Sequence, residues 1–191
     1  MSYFEYVGAE FRKGWWNALV IVVFTIARLI FGWSWFKAGW GKLTGSEGGA
    51  SWIGGKFEAE GMMKGMVSNL QHSHGSDPIH LNNLLIWFTN NIFLHMGGLV
   101  DFLVVAFEIL VGIFVFFGFA IVWAMIAALF LTLQYAAGGA ANSFGYNVVE
   151  IVWFRFPRNV GLIGVDGYLR YRKENKLHGS TDVKGNNAVK A

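Results

Sequence analysis

Between Leu99 and Ala141 the chain runs for 43 residues with Asp101 and Glu108 as its only charges. As a single helix this stretch would measure roughly 65 Å at 1.5 Å per residue, about twice the hydrocarbon thickness of a bilayer. It must therefore turn back on itself. Gly118 is the expected turn, because glycine adopts the backbone angles that a tight reversal needs. The stretch reads as a helical hairpin forming the second and third of four apolar helices.

The first of the four is expected over residues 15–43, preceded by Arg12 and Lys13 and followed by a Gly/Ser-rich stretch. Its apolar run exceeds that of a secretory leader, and no A-x-A-like cleavage site follows, so it reads as a retained membrane helix. The fourth is expected over residues 144–169, kinked at Pro157. Residues 1–14 alternate aromatic and charged side chains and are expected to lie along the membrane surface. Residues 44–91 are Gly-rich and mixed in charge. They read as a long extracytoplasmic loop carrying short helical pieces, with 84–94 leading back into the bilayer. The tail over 170–191 is basic and polar, and is expected to be disordered beyond Lys173. The fold class that follows is all-α, an integral membrane four-helix bundle whose long loop joins the first two helices.

Composition supports lipid as the solvent: 54% of residues are hydrophobic and 14% charged, against roughly 25% charged in an average soluble domain. Nine Trp, six Tyr and eighteen Phe suit a chain whose aromatic rings settle at the headgroups, with Trp15, Trp16, Trp40 and Trp153 flanking apolar runs. The net charge of +3 is small and gathers at Arg12, Lys13, Arg170, Arg172, Lys173 and Lys176. Nucleic acid is not an expected partner. Basic flanks of this kind mark cytoplasmic segments, so a multi-pass cell-membrane protein with both termini cytoplasmic is expected. The chain contains no cysteine, which excludes iron–sulfur clusters, thiolate zinc sites, covalent haem and thiol catalysis by its own residues.

Charges inside membrane helices are costly, so Arg28, Glu108, Glu150 and Arg155 need partners or water. Counting from the helix starts puts Arg28 and Glu108 at similar depth on antiparallel helices, and an Arg28–Glu108 ion pair is expected. Asp101 lies seven residues before Glu108 and shares its face. Asn147 and Glu150 share a face of the fourth helix. Gln134 and Asn142 complete the polar set as candidate substrate-binding groups with Asp101, Asn147, Glu150 and Arg155. On the first helix Arg28, Gly32, Trp35, Gly39 and Lys42 form one stripe. Lys37 falls opposite and is expected to snorkel outward. Gly32, Gly39, Gly112 and Gly118 are expected to let helices approach closely. His72, His74, His80 and His95 lack the spacing of a metal site, and no histidine is placed in a helix interior to ligate haem. Neither metal nor haem is expected.

The run Arg28-Leu29-Ile30-Phe31-Gly32, then Ala38-Gly39-Trp40-Gly41-Lys42-Leu43, then Glu108 with Gly112 and Gly118, and finally Gly164-Val165-Asp166 resembles the DoxX/DoxD family of four-helix membrane proteins. The resemblance covers residues 27–169. It implies Arg28, Lys42 and Glu108 as candidate catalytic residues. Its DoxD branch resembles the small subunit of thiosulfate:quinone oxidoreductase, so quinone is the bound substrate to expect, with a second redox subunit as partner. The alternative carried with it is a non-catalytic membrane module that anchors or assembles a redox complex.

Overall fold

A computed structural model describes residues 2–46, 51–73, 80–138 and 143–188; within the last segment, side chains are described for 145–177. Asn142 and His74 lie outside the described residues. Helices, and no strands, make up the regular structure among them. A short α1 (Tyr3–Arg12) is opened by Ser2, whose hydroxyl accepts from the Glu5 N–H while the Glu5 carboxylate accepts from the Ser2 N–H, a reciprocal capping box. The long α2 (Trp15–Thr44) ends at Gly45 in the left-handed conformation (φ 70°). Two helices follow, α3 (Glu60–Gln71) and α4 (Leu81–Phe88). A π-helical turn over Thr89–Phe93 and the short α5 (Leu94–Met96) then lead into α6 (Gly98–Phe117). Short helices thus occupy part of the stretch over 44–91.

The reversal comes at Gly118, as expected (φ 66°). The Gly118 N–H bonds the Val115 carbonyl and the Phe119 N–H bonds that of Phe114 at 2.8 Å, satisfying carbonyls that the end of α6 would otherwise leave open. After it runs α7 (Ile121–Ala137), and then α8 (Ser143–Arg155), α9 (Pro157–Val160) and α10 (Val165–Ala188). The fourth apolar stretch is therefore broken rather than kinked. Proline disfavours helical angles in the residue before it, and Phe156 leaves the helix (φ −121°, ψ 48°) while Pro157 starts α9 at its first position, where the missing N–H costs nothing. Thirteen residues of α8 extend roughly 20 Å, short of a membrane's width. The last helix, α10, is continuous from Val165 to Ala188, with no proline after Pro157 to interrupt it.

Antiparallel α2 and α6 make the most intimate contact. A Cβ on Gly32 would lie 2.5 Å from the Phe116 backbone N, one on Gly39 2.8 Å from Ile109, and one on Gly112 would collide with the Phe36 backbone. These glycines have no room for a side chain, as expected of residues that let helix backbones touch. α7 packs on α6 and on α8. Side chains join α8 back to α2: the Tyr146 hydroxyl donates to Ser34 Oγ at 3.2 Å, and Phe31 meets the Trp153 ring at 5.1 Å. Phe31, Trp35, Val115, Met125, Leu131 and Trp153 belong to the core so enclosed. The outer faces are apolar as well: Ile30, Trp33, Phe102, Trp123, Ile151 and Phe154 are exposed.

Candidate functional site

Three helices converge on Glu108. The α6 register leaves it 1% exposed, and its position opposite Gly39, where a Cβ would come within 3.0 Å of the Glu108 Cβ, lets α2 pass close enough for Lys42 to reach it. Lys42 Nζ donates to both carboxylate oxygens at 2.8 Å. From α7 the Tyr135 hydroxyl donates to Oε1 at 2.6 Å. The ammonium also lies 5.4 Å from the Trp52 ring centroid and 5.7 Å from that of Tyr135, where ring quadrupoles add to its stabilisation. Glu108 is thus a desolvated carboxyl with three short hydrogen bonds. Lys42, 22% exposed along its side chain, connects it to the rim of the protein.

The Tyr135 ring also faces an apolar cavity of about 120 Å³ bounded by Met62, Met63, Met66, Met96, Phe107 and Phe130, with Gln134 at its edge. Methionine thioethers adapt to flat ring systems and contact them favourably. Asp101, on the same face of α6, holds the start of α3, whose methionines bound the cavity. Fully buried, it accepts from the N–H groups of Glu58 (2.7 Å) and Ala59 (2.8 Å), where α3 begins. A carboxylate there meets the positive end of the helix dipole. Asp101 therefore docks the loop over the cavity rather than facing into it.

Arg28 does not pair with Glu108. Gly39 faces Ile109 and Gly112 faces Phe36, and this register sets residue 28 level with the turn after Phe117. Depth counted from helix starts assumed equal entry points, whereas α2 has thirty residues and α6 twenty. The Arg28 guanidinium instead donates to the carbonyls of Val115 (3.1 Å) and Ile163 (2.7 Å), and a Cβ on Gly118 would collide with it. Around it Asp166 accepts from the N–H groups of Ala120 (2.9 Å) and Ile121 (3.0 Å), and the Tyr3 hydroxyl donates to Leu162 O at 2.8 Å. This is a clasp for the hairpin turn.

The remaining candidates are scattered. Glu150 is fully buried between α7 and α8, where its Oε2 accepts from the Thr132 hydroxyl at 2.7 Å and its Oε1 has no partner. Asn147 also has a buried, unpartnered side-chain oxygen. Arg155 is exposed against the Phe156 ring at 5.5 Å, and Lys37 is exposed as expected. The described residues hold no group of three or more metal-ligating His, Cys, Asp or Glu side chains. Sequence reasoning missed Tyr135, Thr132 and Trp52. A tyrosine near the end of an apolar helix reads as an interfacial ring, and nothing local to residue 135 shows that its hydroxyl lies opposite Glu108.

Among the described residues, fold and site together define a helical protein with two helices, α2 and α6, long and apolar enough to cross a membrane, and a partly buried Lys–Glu–Tyr cluster centred on Glu108 where α2 ends. No family model, curated protein or solved structure matches the chain.

Proposed function

We propose that the chain is a multi-pass membrane subunit of a quinone-linked oxidoreductase, a four-helix bundle of α2, α6, α7 and α8 with both termini cytoplasmic. The observation that carries the redox reading is the Lys42–Glu108–Tyr135 cluster at the edge of a methionine-lined apolar cavity. Membrane embedding is supported by the exposure of α2, whose most apolar eighteen-residue window is only 28% buried in the protein. The core helix of a soluble protein would be mostly enclosed, and a continuous apolar exterior needs a covering.

Quinone reduction takes two electrons and two protons. It calls for an apolar slot for the ring, a cation near the ring oxygen where negative charge develops, and a titratable group in reach. Lys42 supplies the cation. Tyr135 both lines the cavity and bonds Glu108, so a proton passed from its hydroxyl to the ring oxygen is replaced through Glu108. The resemblance to DoxD suggests thiosulfate as donor: two thiosulfates form one new S–S bond, give tetrathionate and release the two electrons. A separate redox subunit then carries the electrons to the quinone. Tyr135→Phe and Glu108→Gln, purified as assembled protein, should lose at least about 100-fold in quinone reduction, the lower end for a lost proton-transfer group. Unchanged rates in both variants would reject the site.

One observation favours a second reading, a non-catalytic module anchoring a redox complex: both Glu108 oxygens already have protein partners. On that reading Tyr135→Phe lowers stability and leaves quinone-dependent activity of the complex intact.

A further inference from the structure

At the opposite end of the molecule, α1, the start of α2, α9 and α10 enclose a polar groove of about 730 Å³, whose walls include Lys13, Arg158, Arg170 and Lys173 with Ile21 and Leu162. A second groove of about 360 Å³ lies beside it. The second shares Arg158, Arg170 and Lys173 and adds Val122 and Leu169. Glu10 and Glu174 also face the first groove; Glu10 is paired with Lys13, and Glu174, which accepts from the Tyr6 hydroxyl and keeps its charge, leaves Arg158, Arg170 and Lys173 in excess. Asp166, in the second, accepts from the backbone N–H groups of Ala120 and Ile121 and keeps its charge, so three cations there face one carboxylate. None of the ion pairs among the described residues uses Arg158, Arg170 or Lys173.

The shared wall is held in place. Arg170 donates from Nε to Asp166 O (3.3 Å) and from Nη2 to Arg158 O (3.0 Å), which fixes its guanidinium without neutralising it. Tyrosines pin α1 to α10: the Tyr3 ring lies 5.7 Å from Tyr168 and the Tyr6 ring 5.9 Å from Tyr171. Trp15 and Trp16 stack at 3.8 Å and are exposed, as is Phe4, which marks this end as one that sits at headgroup level.

Charge and apolar surface therefore meet along one concave wall, and we propose that it binds the headgroup of an anionic phospholipid. The phosphate lies against Arg158, Arg170 and Lys173, and the acyl chains run along Val122 and Leu169 towards the exposed apolar faces of the helices. A phosphate group is the shared chemistry of a lipid and of free phosphate. The apolar residues next to the cations favour the lipid, since inorganic phosphate gains nothing from them. The inference rests on the membrane reading and is independent of the quinone site.

The test uses the full chain purified in mild detergent, with binding of phosphatidylglycerol, phosphatidylcholine and inorganic phosphate read by native mass spectrometry and thermal shift. Phosphatidylglycerol should bind and protect, phosphatidylcholine should not, and millimolar phosphate should not substitute. Arg158→Gln with Lys173→Gln should weaken phosphatidylglycerol about twenty-five-fold, at roughly fivefold per cation removed near an anionic surface, whereas Arg155→Gln, outside the grooves, should not. Arg170 is left intact because its hydrogen bonds hold α9 and α10 together. Equal binding of the two lipids, an unaffected double variant, or full protection by phosphate alone each overturns the proposal. Alkaline carbonate washing separates its failure from that of the membrane reading. A chain released from membranes without detergent sinks both, while a retained chain indifferent to lipid charge sinks only this one.

Discussion

Replacing Lys42 by methionine, which keeps the length and apolar body of the side chain, should destabilise the protein by about 3 kcal/mol. Deleting one partner of a buried ion pair typically costs about 3–5 kcal/mol because the other charge stays behind unpaired. Here Glu108 is 2% exposed along its side chain and Lys42 is 22% exposed. The surviving Tyr135 hydrogen bond also still supports the carboxylate, so the lower end applies. Glu108→Gln should cost less, about 1–2 kcal/mol, since Lys42 can turn to the rim. The double variant removes both charges at nearly constant volume and should lie within about 1 kcal/mol of the parent, a coupling of about 3–5 kcal/mol. Thermal unfolding of the four proteins in one detergent measures the cycle. At roughly 2–4 °C per kcal/mol for a chain of this size, Lys42→Met alone falls about 6–12 °C and the double variant recovers most of it. Additive losses, or a Lys42→Met loss under about 1 kcal/mol, would show that the pair is solvated and would remove the basis for a desolvated site.

Asp101→Asn keeps the volume but replaces one carboxylate oxygen with a donor facing an N–H, so about 1–3 kcal/mol is lost and limited proteolysis should cut first within 51–59. Gly118→Ala puts a Cβ into the Arg28 guanidinium at a left-handed position, which costs about 1–2 kcal/mol for the backbone alone; expression and melting temperature should both fall. Arg28→Gln should lower the melting temperature while quinone bound per assembled protein stays at the parent level, because its contacts are backbone carbonyls remote from the cavity. Thr132→Val deletes the hydrogen bond that Thr132 donates to Glu150, and about 1–3 kcal/mol of stability should go with it, restored in part by Thr132→Ser.

Much of the architecture could be read from residue order. The hairpin at Gly118 follows from an apolar run too long for one helix, and the close contact of α2 with α6 from glycines seven apart at Gly32 and Gly39. What escaped was register. Periodicity says which face of α2 carries Arg28 and Lys42, but not how far α2 slides along α6. A slide of a few turns decides whether Glu108 meets the first or the second. The end of α8 was misjudged for a local reason, since a proline can kink a helix or end it, and the choice depends on whether the chain beyond is held elsewhere. Here the clasp at Ile163, Gly164 and Asp166 takes hold of it.

Three of the buried charges differ in what answers them, and that difference bears on where chemistry is to be sought; Glu150, met by the Thr132 hydroxyl at one oxygen, stands apart. Arg28 and Asp101 are each met by backbone groups of segments they hold in place. Backbone carbonyls and amides neither titrate nor move without unfolding the local turn, so such charges fix structure and can do little else. Glu108 is met by two side chains, one of them at the rim and the other facing an apolar cavity. Side-chain partners can rotate, exchange protons and be displaced by a ligand without breaking a helix. If buried charge served only to lock this fold, the carbonyl-type clasp at Arg28 would suffice at both ends. On the proposed function, the lysine–carboxylate–tyrosine group beside the apolar cavity is where a substrate would bind through its polar edge.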